Sequence, residues 1–171
     1  MPYPNDRPGQ GRGRDGDRRD SGHRDNYRRG NDRQGPPQRE AMDTSAIVLK
    51  AGAGGTLDPT LFDTVAREVA TVLGQNQRSN KPAQIRQFYD ELVMWEQRVR
   101  QAPGRFGEFL PFIRMLNAKA AYARGREHVD DNFVAFIGRG LAQVDSPEAL
   151  GNFKLFFEAF LGFYKLARPK D

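Results

Sequence analysis

Cysteine is absent from the 171 residues, which removes disulfide scaffolds, thiol nucleophiles and thiolate metal sites together. Histidine is almost as scarce, with only His23 and His128. No apolar run exceeds a few residues, so no transmembrane helix and no membrane association are expected. The amino terminus is rich in Pro, Gly and Arg and has no apolar h-region, which argues against a secretory leader and makes the cytoplasm the expected address.

What apolar content there is lies to one side. Residues 1–40 hold three apolar residues, Met1, Tyr3 and Tyr27, whereas residues 41–171 hold 61, a normal globular fraction. The first forty residues carry seven Gly, five Pro, ten Arg and seven acids. Such a segment cannot bury enough apolar surface to offset an ordering entropy of about 1–2 kcal/mol per residue. Residues 1–43 are therefore expected to be a disordered basic polyampholyte. Two readings of that tail fit: weak, salt-sensitive attraction to RNA, or a solubilising leader. Net charge does not choose between them, because the formal +5 divides into +3 on the tail and +2 on residues 41–171.

Residues 46–56 (AIVLKAGAGGT) lead from an apolar run into glycines, as phosphate loops do. Yet Gly52-Ala53-Gly54 lacks the third glycine at its offset, no Gly-Lys-Ser/Thr follows, and no βαβ succession continues. Residues 44–56 are read as a Gly-rich hinge.

From Leu57 onward the apolar period is helical. Asp58 and Pro59 supply cap and first-turn chemistry, Leu61, Phe62, Val65, Val69, Val72 and Leu73 recur at three and four, and Gly74 is a stop. A second helix starts at Pro82 and buries Ile85, Phe88, Tyr89, Leu92, Trp95 and Val99. A third runs from about Phe109 to Arg124, with Phe109, Phe112, Leu116, Ala120 and Ala123 facing inward. A fourth spans about Asp130 to Val144, and a fifth, announced by Ser146-Pro147-Glu148, continues to about Ala167. Short connections and no hairpin signal predict an all-α fold, a five-helix bundle over residues 57–168. The fifth helix is too apolar for one buried face. Either it is central to the bundle, or another protein covers part of it.

Catalytic chemistry has little to use. His128 with Asp130 and Asp131 offers three ligand atoms, but the two acids stand where a helix dipole favours them. Asp90 and Glu91 are adjacent on a helix and point about 100° apart. No nucleophile has a base beside it. The chain is read as a non-enzyme with no metal, cofactor or small-molecule substrate.

The third helix carries a different signal. On a wheel of 100° per residue, Lys119, Tyr122 and Arg126 share one stripe at the border of the apolar face. Two cations and an aromatic ring on one stripe suit a nucleic-acid backbone with stacking. A snorkelling border with a half-buried tyrosine fits equally. On the second helix Arg86 precedes Asp90 by four, the spacing of an intrahelical ion pair, and Arg78, Lys81 and Arg86 form a modest basic entrance.

Three segments, KPAQIRQFYDEL (81–92), FLPFIRMLNAKAAYARGR (109–126) and NFKLFFEAFLGFYK (152–165), resemble the small all-helical subunit of type III-A CRISPR effectors, the Csm complex. The resemblance covers about residues 80–166; residues 44–79 match poorly and the Arg-rich leader lies outside the pattern, so nothing is inherited for Arg12 to Arg39. It implies a non-catalytic structural subunit acting in antiviral defence. Such a subunit stacks in copies along the guide RNA–target RNA duplex beside the other effector subunits. Arg86, Lys119, Arg126 and Lys165 match basic positions of its motifs, and Tyr122 is shared. The competing class is a helical protein–protein adaptor with an RNA-attracting tail.

Overall fold

Two helix starts show how local chemistry sets this architecture. Ser146 accepts a hydrogen bond from the Ala149 amide at 3.1 Å with Pro147 in the first turn, and Asp130 accepts from the Phe133 amide at 3.0 Å. Both are side-chain caps on helix donors that would otherwise be orphaned. The computed structural model describes residues 41–52 and 55–168. The expectation of a disordered tail falls outside that range, apart from its last three residues.

The described residues are all helical, with no strand: α1 (Ala66–Gly74), α2 (Pro82–Gln101), α3 (Phe106–Gly125), α4 (Asp131–Ala142) and α5 (Pro147–Ala167). α5 is central and packs against α1 and α2, while α3 packs on α4 and α2. Its buried side includes Phe153, Phe156, Phe157, Phe160 and Tyr164. Phe136 of α4 meets Phe157 and Phe160 at centroid distances of 5.1 Å each, within the range where edge and tilted ring pairs add to burial. Gly140 makes room for this cluster: a Cβ there would lie 2.2 Å from the Phe153 ring.

Three expectations change, and a fourth gains a reason. Asp58 does not cap α1; its carboxylate binds the Thr60 amide and hydroxyl at 2.8 and 2.7 Å, a local turn. A π-helical turn, Leu61–Val65, then precedes α1. Gly74 does end α1, but its use is close approach, since a Cβ would fall 2.8 Å from that of Ala167. α3 begins at Phe106, led in by the 3-10 turn Pro103–Arg105, and Pro111 lies inside it. On α3 the buried side is Ile113, Leu116, Ala120 and Ala123, whereas Phe112 is 53% exposed. Because α3 serves two neighbours, its buried face turns away from Phe112, whose ring instead stacks at 5.9 Å and 13° on Trp95.

The first half of the stretch read as a hinge is packed. Ile47 and Leu49 are fully buried. The Leu49 amide donates to Gln143 Oε1 at 2.9 Å, and Gln143 Nε2 and Arg139 Nε donate to the Ile47 carbonyl at 2.9 and 3.1 Å. Alternating burial (Ile47 and Leu49 in, Val48 out) makes this an extended arm on the bundle.

At one end of the bundle, Asn80 ties three connections together. It is fully buried at φ 57°, in the left-handed region that asparagine tolerates. Its amide donates to the His128 carbonyl, its Oδ1 accepts from the Asp130 amide at 2.9 Å, and its carbonyl accepts from Tyr164 Oη and Arg168 Nη1. The loops α1–α2 and α3–α4 and the end of α5 are thereby locked, which sets the register of α2 against α3.

Candidate nucleic-acid interface

That register opens a groove of about 390 Å³ between α2 and α3. Gln84, Gln87 and Glu91 recur at three and four along one side of α2, and Lys119 and Tyr122 face them from α3. His128, in the loop held by Asn80, closes one end, and the nearly buried Phe88 and Ala123 form the floor. The Lys119 ammonium donates to both oxygens of Glu91, at 2.7 and 2.6 Å. Tyr122 is 67% exposed, so its ring is not core packing. Arg126, the C-cap of α3, donates to Tyr122 Oη at 3.1 Å and sets its guanidinium 5.8 Å from the ring centroid. Among the described residues Arg126 has no carboxylate partner.

Lys119, Tyr122 and Arg126 therefore share one exposed stripe. Arg86 does not join them. It pairs with Asp90 at 2.8 Å and lies 5.2 Å from the Tyr89 ring, on the far side of α2 from the groove. Arg78 and Lys81 are exposed on the α1–α2 connection, and Lys165 is exposed in the last turn of α5, which Tyr164 anchors to that connection. These three mark the end of the bundle that Asn80 locks, the end at which α3 and its cap Arg126 also finish. Asp130 is engaged as a cap and by Asn76 Nδ2 at 2.9 Å, and Asp131 by two bonds from Arg124 at 2.7 and 3.0 Å. The Arg124 bonds hold the Asp131 carboxyl below its ordinary value. Neither acid is turned toward His128 as a ligand, and no group of three potential metal ligands occurs among the described residues.

Sequence reasoning missed Gln84, Gln87 and the role of Glu91. Their spacing of three and four was readable, but nothing local shows that α3 lies opposite.

The described residues thus form a helical bundle that presents two cations and an aromatic ring on one helix. The family model Csm2 Type III-A matches residues 57–170, and the chain belongs to that family. It is a subunit of the type III-A CRISPR effector complex, in company with the other subunits of that complex. The match extends the resemblance back through α1, beyond the three segments that carry it. Searches of curated proteins and of solved structures each found no match. Among the described residues no helix is long and apolar enough to cross a membrane.

Proposed function

We propose that the chain is a non-catalytic structural subunit that contacts RNA through α3 and stacks in several copies along the guide RNA–target RNA duplex. The observation that carries this reading is the stripe Lys119–Tyr122–Arg126. All three side chains are exposed, they lie beside a polar groove, and Arg126 carries a charge that no carboxylate among the described residues offsets. Phosphates are met by such cations without base information, so sequence choice stays with guide pairing. Arg78, Lys81 and Lys165 form a further basic group that a long duplex would reach, and Arg86 contributes once its pair with Asp90 opens. Residues 57–168, with the arm of Ile47 and Leu49 packed on them, act as the folded body, with the Arg-rich tail as an accessory.

A protein–protein adaptor remains the second reading, favoured by exposed Phe112, Met115, Leu155 and Leu166. The two are separated on the assembled effector. Lys119→Ala/Arg126→Ala should leave assembly intact, weaken target RNA uniformly across sequences and lower the salt slope by roughly 0.7–0.9 per lost contact. Unchanged RNA affinity and salt slope would leave the adaptor. A mass showing a single copy per complex would remove stacking.

A further inference from the structure

The α2–α3 groove holds polar groups that no fold contact uses. The side-chain amides of Gln84 and Gln87 and the imidazole of His128 have no hydrogen-bond partner among the described residues, yet all three line one groove. Nothing structural requires them to converge there. The volume of about 390 Å³ is near the lower end of the roughly 300–1,000 Å³ typical of ligand sites, a fit for one nucleoside rather than a length of duplex.

The lining also separates by chemistry. Lys119 and Arg126 are cationic and exposed, as a phosphodiester requires. Behind Lys119 stands Glu91, whose negative charge disfavours a phosphate any deeper. Beside them stand the two neutral amides of Gln84 and Gln87, each both donor and acceptor, and the His128 imidazole, over an apolar floor with the Tyr122 ring at one wall. That combination matches a flat heteroaromatic ring with donors and acceptors on its edge. A carboxylate has more lone-pair sites than the Lys119 bonds occupy, so Glu91 can still accept from an exocyclic amine. Glutamine pairs naturally with the adenine edge and a carboxylate with the cytosine amine.

We propose that this groove is a nucleobase subsite: it takes one unpaired RNA nucleotide bearing an amino-substituted base, adenine or cytosine ahead of uracil. The base lies on Tyr122 between Gln84 and Gln87, and its phosphate meets Lys119. A base still paired inside an A-form helix cannot enter, because its edges face grooves that side chains read poorly. The subsite rests on the RNA reading above and names the part of the RNA it would hold.

The test measures binding of the full chain to three single strands of equal length, oligo(A), oligo(U) and an abasic ribose-phosphate backbone, at fixed salt. Oligo(A) should bind on the order of tenfold more tightly than the other two. Gln84→Ala/Gln87→Ala should abolish that preference while leaving abasic binding unchanged, and Tyr122→Leu should abolish the preference as well. The tail is common to every variant and cancels in the comparison. Equal affinity for the three strands, still reduced by Lys119→Ala/Arg126→Ala, would overturn the subsite alone. A preference for oligo(A) that survives the glutamine substitutions would overturn it as well. Binding indifferent to both sets of substitutions, or no binding at all, would overturn the subsite together with the RNA reading.

Discussion

Glu91 holds the Lys119 ammonium through both carboxylate oxygens, at 2.6 and 2.7 Å, across the α2–α3 groove. A half-exposed pair of this kind contributes only about 0–1 kcal/mol to stability. Its consequence is for binding: a phosphate must compete with Glu91 for Lys119, whereas Arg126 has no carboxylate partner among the described residues. Glu91→Gln should therefore raise RNA affinity a few-fold and steepen the salt slope by roughly 0.7–0.9, the value of one more phosphate contact. The decisive comparison is a double-mutant cycle. Lys119→Ala should cost more in the Glu91→Gln background than in the wild type, and equal costs would show that the pair does not restrain Lys119.

Asn80 should be among the positions least tolerant of change. Asn80→Gly keeps the left-handed backbone but removes the bonds to the Asp130 amide and Leu73 carbonyl, at a cost of about 1–3 kcal/mol. Asn80→Ala adds the strain of a non-glycine residue at φ 57°, about 1 kcal/mol or more. Urea unfolding should rank wild type above Gly above Ala; Ala at or above Gly would mean the backbone relaxes.

Much of this fold is written locally. The six apolar residues read from the α2 period are its six buried residues, and the Ser146 cap is where capping chemistry put it, whereas Asp130, read as a first-turn acid, is the cap of α4. Failures occur where a residue answers to something distant. Phe112 sits on the apolar arc of α3 but meets Trp95 at the surface, because α4 takes the other side of that helix. Ile47 and Leu49 looked like an approach to a glycine hinge because two alternating residues are too few to announce packing. The site was half legible. Lys119, Tyr122 and Arg126 share a helix and so a wheel, whereas Gln84, Gln87 and His128 join them only through the register that Asn80 fixes.

Glycine substitutions separate crowding from propensity. Gly140→Ala drives a methyl into Phe153, 2.2 Å from the ring, and that ring is already hemmed in by Phe136 and Phe157. Destabilisation of about 1–3 kcal/mol is expected. Combining it with Phe153→Leu should cost less than the sum of the two single changes. Gly151→Ala and Gly162→Ala, in α5 with open space at the Cβ position, should instead stabilise by up to about 1 kcal/mol.

Stability should fall on acidification for an identifiable reason. Hydrogen bonds from Arg105, Arg124, Lys50 and Lys154 lower the carboxyl pKa values of Glu108, Asp131, Asp145 and Glu158 respectively. The unfolded chain then binds protons more readily than the folded one. Their contribution is complete above the ordinary values of 3.8 for Asp and 4.5 for Glu, and is lost as pH falls through the lower folded values. The urea midpoint should be level from pH 7 to about 5 and decline below. Arg124→Ala should flatten part of that decline, and high salt should too, since the pairs are exposed. A midpoint that rises below pH 4 would contradict the assignment.

The arm before α1 gives the clearest test of where the folded body begins. The family match starts at residue 57, and sequence periodicity starts there too, yet Ile47 and Leu49 are fully buried on the bundle. Burying a large aliphatic side chain contributes about 1.5–3 kcal/mol, so removing both should cost about 3–6 kcal/mol. The loss is compounded because Gln143 Nε2 and Asn152 Nδ2 lose the Ile47 and Leu49 carbonyls they now serve, at 2.9 and 3.0 Å. A chain starting at residue 41 should unfold in urea like the full protein, whereas one starting at residue 57 should unfold at a clearly lower midpoint. Ile47→Ala/Leu49→Ala in the full chain should reproduce most of that drop, which ties it to these two side chains rather than to the new terminus. If the chain starting at 57 is as stable as the one starting at 41, the arm is an appendage and the body is the segment that matches the family.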